Sequence, residues 1–539
     1  VTDLRSASSR RFALALVLAA APWLNPLALG PSPSVAPWLA SAACGIALWA
    51  LAATGPQRPR LPRGLLAGAI ALSAWAVFAH LPLRPEMAML AGGLLLIVLA
   101  AGFAADAGIA RGLQAGFLVA AAASAVIGLL QYFGLSGLFT PWINAAETGE
   151  AFANLRQPNQ YATLCWVGAA IVLFGTLDLR RRAGIALLVL LAAGSAASVS
   201  RTGLVQGLVL TVLAAVWAGP QRRERLRLCL VAAIAYFAAT VLLPVLLDAL
   251  TGAMPARTLW GRLGGGQACS SRLVLWSNVL HLIAQKPLAG WGWGELDRAH
   301  FETLYEGPRF CDILDNAHNL PLHLAVELGV PVAVLVCGWG LWWMWRQRPW
   351  AEEAPLRQLA WGLAAVILLH SLLEYPLWYG PFQIAFGVAL GWLLARPDAQ
   401  PARSAVPSLA LAALLLALTG YATWDYTRVS QIYVVSGQRL SPWANDTLGA
   451  IRRSWLFSGQ ARFADLTLQT PDRANAQLLY PLALDVLHYS PEPRVIERAI
   501  ESATLLGRDD EAVALLARYR AAFPHEYEQW RRAQGLDPR

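Results

Sequence analysis

Stretches of about 20 apolar residues recur along most of this chain, each closed by an arginine cluster or a turn rich in proline and glycine; that is the length an α-helix needs to cross a bilayer. Of the 539 residues, 57% are hydrophobic and only 14% are charged, and the mean hydropathy is +0.47. Soluble domains carry nearly twice that charge, so a soluble enzyme is excluded. The expectation is an all-α polytopic membrane protein seated in a lipid bilayer. Its 23 tryptophans suit interfacial belts. The net charge of +9 matters through its placement at helix ends, and no nucleic-acid partner is expected.

Arginines mark the cytoplasmic ends of membrane spans. Arg5, Arg10 and Arg11 precede a first span at 12–29, read as retained rather than cleaved, which puts the N-terminus inside. Further spans lie at 35–54, 64–80, 87–105, 112–133, 161–177, 183–199, 204–219, 228–248, 318–345, 359–373, 381–395 and 406–424. That makes about thirteen, with every basic cluster on one side. The outer side receives a long connection, 249–317, and the C-terminal stretch. The expected division is a membrane domain, 1–425, whose 249–317 loop carries the active site, then an extracytoplasmic helical region, 426–539. In that region LLGRDDEAVALLARY, with helical spacing on both sides of a Gly-Arg-Asp-Asp break and a closing proline, resembles a tetratricopeptide-type hairpin.

The unusual polar residues converge on the outer face from separate connections. They are Arg156, Gln157, Asn159 and Gln160; Arg201 in a tight turn; Arg272; His318 and Asn319; and Glu374, Tyr375 and Tyr379. The loop adds Arg257, Arg262, Asp312 and Asp315. Ionisable groups gathered at one membrane face mark a working site. Arginine's planar fork suits phosphate oxygens, and a phosphate ester in a membrane points to a polyprenyl-diphosphate donor. Arg201 and Arg272 would stabilise the departing diphosphate, while His318 takes the proton of an incoming hydroxyl. The plainer readings are a snorkelling anchor for a lone arginine and a helix-entry residue for His318. His323 and Glu327 read as a buried polar pair, and Gln160 and Glu374 as helix ties. Asp312, Asp315 and His318 stand at three-residue spacing, which could suit a divalent cation, but no DxD pair supports a metal, and no cofactor is expected. GWGWGE (290–295) sits on no strand and reads as a turn. Cys269 and Cys311 share the outer loop, where an oxidising compartment would allow a disulfide; Cys44, Cys165, Cys229 and Cys337 lie in or beside spans.

The segments NLRQPNQYATL (154–164), SRTGLV (200–205), SSRLVLW and PLAGWGWGE (270–295), DNAHNLPLHLAVELGV (315–330) and HSLLEYPLWY (370–379) resemble bacterial PglL-type protein O-oligosaccharyltransferases of the O-antigen ligase/polymerase superfamily. The resemblance covers roughly residues 150–380 and extends to the helical tail. It implies a GT-C-like membrane enzyme of the Gram-negative inner membrane, with its active site and C-terminus periplasmic. The reaction would be metal-independent, inverting, en bloc transfer of a glycan from undecaprenyl diphosphate to a Ser or Thr hydroxyl of a periplasmic or pilin protein. His318 matches the family's essential histidine, Arg201 and Arg272 its diphosphate-binding arginines, and Gln160 its glutamine; the functional tyrosine is Tyr375 or Tyr379. The same chemistry would serve an O-antigen ligase acting on lipid A–core, or a polymerase. A transporter would instead show repeated halves, broken spans and buried midplane charges.

Overall fold

The computed structural model describes residues 2–27, 34–79, 84–103, 107–217, 219–255, 258–259, 269–395 and 404–535. Arg257, Arg262 and most of the basic turn at 395–403 lie outside these residues. Among the described residues every regular element is a helix. Helices form where the apolar runs stood: α1 (Thr2–Leu24), α2 (Val35–Ala53), α3 (Arg63–Ala79), α4 (Glu86–Phe103), α5 (Ala107–Tyr132), α6 (Pro158–Phe174), α7 (Arg181–Ala197), α8 (Arg201–Val216) and α9 (Arg222–Thr251). Four segments, Val35–Ala53, Gly108–Tyr132, Arg222–Thr251 and Val406–Tyr433, are long and apolar enough to cross a membrane, and four shorter helices are similarly apolar. Such helices make this a membrane protein.

The core is built around α6, which is buried on nearly every side from Gln160 to Phe174, as a helix apolar all round should be. Around it, α5, α7, α8 and the later α14 (Pro355–Ser371) pack directly. Small residues allow close approach: a side chain at Gly116 of α5 would strike the Leu16 carbonyl of α1. By contrast α9 exposes Leu230, Ile234, Phe237 and Val241, the surface that acyl chains would cover.

One predicted span is not a single helix. Residues 318–345 form α12 (Leu320–Leu328) and α13 (Val330–Gln347), broken at Gly329 with φ +93°. The break comes from a backbone segment laid across the end of α12. Trp291 N–H donates to Val326 O at 2.8 Å, Gly292 N–H to Glu327 O at 3.0 Å, and Val330 N–H to Pro287 O at 2.8 Å. A Cβ at Gly329 would collide with the Leu288 carbonyl. GWGWGE is indeed a turn, and its glycines let the backbone approach α12 closely.

The 249–317 connection is itself folded. Its α10 (Arg272–Gln285) and α11 (Leu296–Glu302) close a small core of Leu275, Val279, Leu282, Leu296, Phe310 and Leu314. Cys269 and Cys311 are joined in a disulfide, with Cα atoms 5.4 Å apart. After α13 and α14 come α15 (Gly380–Leu394) and α16 (Val406–Ser430). The tail continues through α17 (Ser458–Thr467), α18 (Ala476–Val486), α19 (Pro493–Leu505), α20 (Asp509–Ala522) and α21 (Pro524–Ala533). Its α19 and α20 turn at Gly507, φ +68°, where the Gly-Arg-Asp-Asp break stands, and its core of Leu466, Leu479, Ile496 and Tyr519 takes in Phe301 from α11. Glu295 fastens the loop on both sides, to Arg84 Nη1 at 3.1 Å and to His488 Nδ1 at 2.7 Å.

Candidate active site

The local chain chemistry at the His318 end of the bundle is a set of helix starts. Gln157 caps α6 by accepting from Gln160 N, Ser200 caps α8 from Gly203 N, Ser271 caps α10 from Val274 N, and Asn319 caps α12 from Leu322 N. A side-chain cap fixes where a helix begins, so Gln160, Arg201, Arg272 and His318 each stand within about one turn of a capped terminus.

These starts meet at Glu374, in the turn after α14. Its Oε2 lies 2.7 Å from His318 Nδ1, and Oε1 is bonded by Arg272 Nη2. Asn159 Nδ2, from the first turn of α6, donates to the same Oε1 at 3.1 Å. Ser200 Oγ donates to Asn159 Oδ1 at 2.6 Å, which ties the Arg201-bearing turn into the cluster. The Glu374 side chain is 11% exposed. Burial pushes its carboxyl up, but the hydrogen bond and charge of His318, then Arg272 and His370, outweigh that and hold it below its ordinary 4.5. It is therefore a carboxylate at neutral pH. A carboxylate only accepts, so His318 Nδ1 carries the proton and Nε2 the lone pair in the neutral ring.

His318 is held from three further directions. Its φ of +50° is left-handed, a strained state for a side-chain-bearing residue. Asn316 Oδ1 accepts from His318 N–H at 2.9 Å, stabilising that bend. Tyr375 stands edge-on to the imidazole at 5.1 Å. Tyr379 stacks behind Tyr375 at 6.0 Å and meets the side chain of Gln160. Of the two tyrosines, Tyr375 is the one against the histidine.

Two residues from the expected set lie apart. Arg156 is exposed in a left-handed turn, φ +60°, and donates to Asn144 Oδ1 at 3.2 Å. Asn319 acts through the backbone, capping α12 and donating to Leu372 O at 3.0 Å. Arg201 is exposed at the first position of α8. His323 and Glu327 form a buried pair, 3.1 Å apart. Among the described residues no group of three His, Cys, Asp or Glu side chains is placed to hold a metal.

Sequence reasoning missed a polar layer beneath the cluster. His370 Nδ1 lies 2.9 Å from Thr163 Oγ1, and Gln206 Nε2 donates to Thr163 Oγ1 at 2.8 Å and to Val366 O at 2.9 Å. Three polar side chains in otherwise apolar helices, all near the Glu374 end, were the available signal. Ser200 carried the other, as a serine heading a helix.

Comparison with known proteins finds relatives for two parts of the chain. A sequence family described as O-antigen ligase matches residues 185–337, and one described as virulence factor membrane-bound polymerase, C-terminal, matches residues 358–536. The chain is 26% identical over 335 residues to a general O-oligosaccharyltransferase of Acinetobacter baylyi, covering 58% of this chain and 56% of that protein. It is 25% identical over 256 residues to a ComP-specific O-oligosaccharyltransferase of the same organism, covering 46% and 45%. The chain thus spans about half the length of the curated relatives it matches. The two family matches take in α10, α12, α14 and the tail, and all but the α6 side of the Glu374 cluster. The chain is similar to the O-antigen ligase family over 185–337 and to the PglL-type O-oligosaccharyltransferases over about half of its length.

Proposed function

We propose that the chain moves a preassembled glycan en bloc from a polyprenyl diphosphate, undecaprenyl diphosphate in a Gram-negative inner membrane, to a Ser or Thr hydroxyl of a periplasmic or pilin-type protein. The observation that carries this reading is the carboxylate of Glu374 held between His318 Nδ1 and Arg272. It leaves Nε2 as the base. As the acceptor hydroxyl attacks the anomeric carbon, its proton passes to Nε2, and the imidazolium that forms is neutralised by Glu374; such a base is worth about 10²–10⁴-fold. The bond from the sugar to the diphosphate oxygen breaks, and the charge left there is met by Arg272 and Arg201. Preorganised cations of this kind are worth roughly 10²–10³-fold each. Attack from the face opposite the leaving diphosphate inverts the anomeric centre. Tyr375 packs the histidine, and Gln160 and Tyr379 form the wall behind it. The folded 249–317 connection positions Arg272, and the tail, docked on that connection through Glu295 and His488, offers an acceptor-facing surface on the periplasmic side.

A second reading has its own support in the O-antigen ligase match at 185–337: the same chemistry with lipid A–core as acceptor. The deciding experiment reconstitutes the purified protein with an undecaprenyl-diphosphate oligosaccharide and EDTA, offering a pilin-type protein and lipid A–core in parallel. The proposal expects a mass shift on the protein that EDTA does not reduce. Transfer to the lipid alone would move the chain to the ligase reading, and loss of transfer in EDTA would refute metal independence.

A further inference from the structure

The end of the bundle away from His318 has no part in that chemistry. Both α6 and α8 start at the Glu374 cluster and run 17 and 16 residues away from it, about 25 Å at helical rise. Each then leads into a basic segment. Arg180, Arg181 and Arg182 open α7, and Arg222, Arg223, Arg225 and Arg227 occupy the first two turns of α9. These helices pack side by side, and their starts are joined by Arg181 Nε donating to Glu224 Oε1 at 2.9 Å. Against the seven arginines, the two segments carry the carboxylates of Asp178 and Glu224 alone. Neither helix start is capped by its own N-cap side chain, so their first N–H groups add positive potential.

Arg225 gives this potential a fixed centre. It is 6% exposed, bonds Gln221 Oε1 at the head of α9 at 3.1 Å, and lies over the Phe174 ring at 5.3 Å. Its Nε has no hydrogen-bond partner, and among the described residues no carboxylate pairs with it. A covered, unneutralised guanidinium is costly and favours a nearby anion. On the outward face of α9, Arg223 and Arg227 stand one turn apart, and the same stripe continues as exposed Leu230, Ile234, Phe237 and Val241. Cationic groups at one end of an exposed apolar stripe match a phosphate headgroup above its acyl chains. We propose that this α7–α9 corner is a binding site for an anionic phospholipid, its phosphate held by Arg223 and Arg227 against the field of Arg225 and the two helix starts, and its acyl chain lying along α9. The apolar stripe selects a lipid over free phosphate, and basic pockets between membrane helices are known to take such headgroups.

The test titrates the detergent-purified chain with phosphatidylglycerol, with phosphatidylcholine of the same acyl chains, and with inorganic phosphate, reading bound species by native mass spectrometry. The expected result is preferential retention of phosphatidylglycerol that inorganic phosphate does not displace. The double variant Arg223→Gln/Arg227→Gln, exposed positions whose change should leave the melting temperature in lipid-free detergent unaltered, is expected to bind about 30-fold more weakly. Equal retention of the two lipids, undiminished binding by the variant, or displacement by inorganic phosphate would each overturn the assignment.

Discussion

At the His318 end of the bundle one carboxylate, Glu374, is bonded to side chains from three distant segments, His318, Arg272 and Asn159, whereas at the opposite end seven arginines stand in segments with two carboxylates, and Glu224 pairs with Arg181 and Arg227. Both ends are rich in arginine, and both gather helix starts. They differ in what the arginines meet. At the first end, caps and cross-helix hydrogen bonds fix each group before any ligand arrives, which is the arrangement that chemistry requires. At the second, most guanidinia are exposed to solvent or headgroups, which suits a membrane surface and its lipids. Arginine content alone therefore says little about a site; the partner of each arginine says much more.

Substitutions can break or sharpen this contrast. The largest effect is expected from His318→Ala, which should lower transfer by roughly 10²–10⁴-fold with the melting temperature retained, while Arg346→Gln, exposed near the other end, leaves the rate unchanged. Initial rates in the reconstituted system check both, and comparable losses would erase the distinction between the ends. Next comes Glu374→Gln, which keeps a polar group against Asn159 but removes the acceptor that orients His318. Misplacement on that scale costs about 10²-fold. Because the Glu374 carboxyl is held below 4.5, its pairs contribute fully at higher pH and are lost as pH falls through the depressed value. Thermal unfolding should show that acid loss in the wild type and a flatter curve in Glu374→Gln.

Smaller effects test the folded loop that carries Arg272. Replacing Cys269 and Cys311 by serine opens a crosslink between positions 42 apart, worth about 4 kcal/mol in the chain-entropy model, measurable as a lower unfolding midpoint. His300 of α11 is buried, and burial, with the nearby charge of Arg309, pushes it down to about 3 from 6.5. The unfolded chain therefore binds the extra proton between those values, and stability is lost as pH falls below 6.5. The slope is at most about 1.4 kcal/mol per pH unit; His300→Gln should flatten it in pH-dependent thermal scans.

The helices were legible because apolar length and basic ends obey bilayer dimensions, and residues 183–199 and 381–395 became α7 and α15 almost unchanged. The break at Gly329 was not, since it depends on backbone from residues 287–292 that no local pattern at 318–345 contains. Among the site residues, the gathering of His318, Arg272, Gln160, Glu374 and the tyrosines reflects their shared place at helix starts and turns of one end of the bundle. Ser200 and Asn159 acquired their place from a contact across 41 positions, and the His370–Thr163–Gln206 layer from helices that meet only in the packed bundle. Side-chain partners across helices are set by rotation and register, which periodicity does not fix.

If His318 and Glu374 act together at one end of the bundle, the most direct test is the transfer rate of wild type, His318→Ala, Glu374→Gln and the double variant in the same liposomes, with donor binding measured alongside. The expected result is donor retained by all four proteins, with the double variant about as slow as His318→Ala alone, because Glu374 acts through the histidine. Wild-type turnover in His318→Ala, or a double variant slower by the full product of the two single losses, would contradict it.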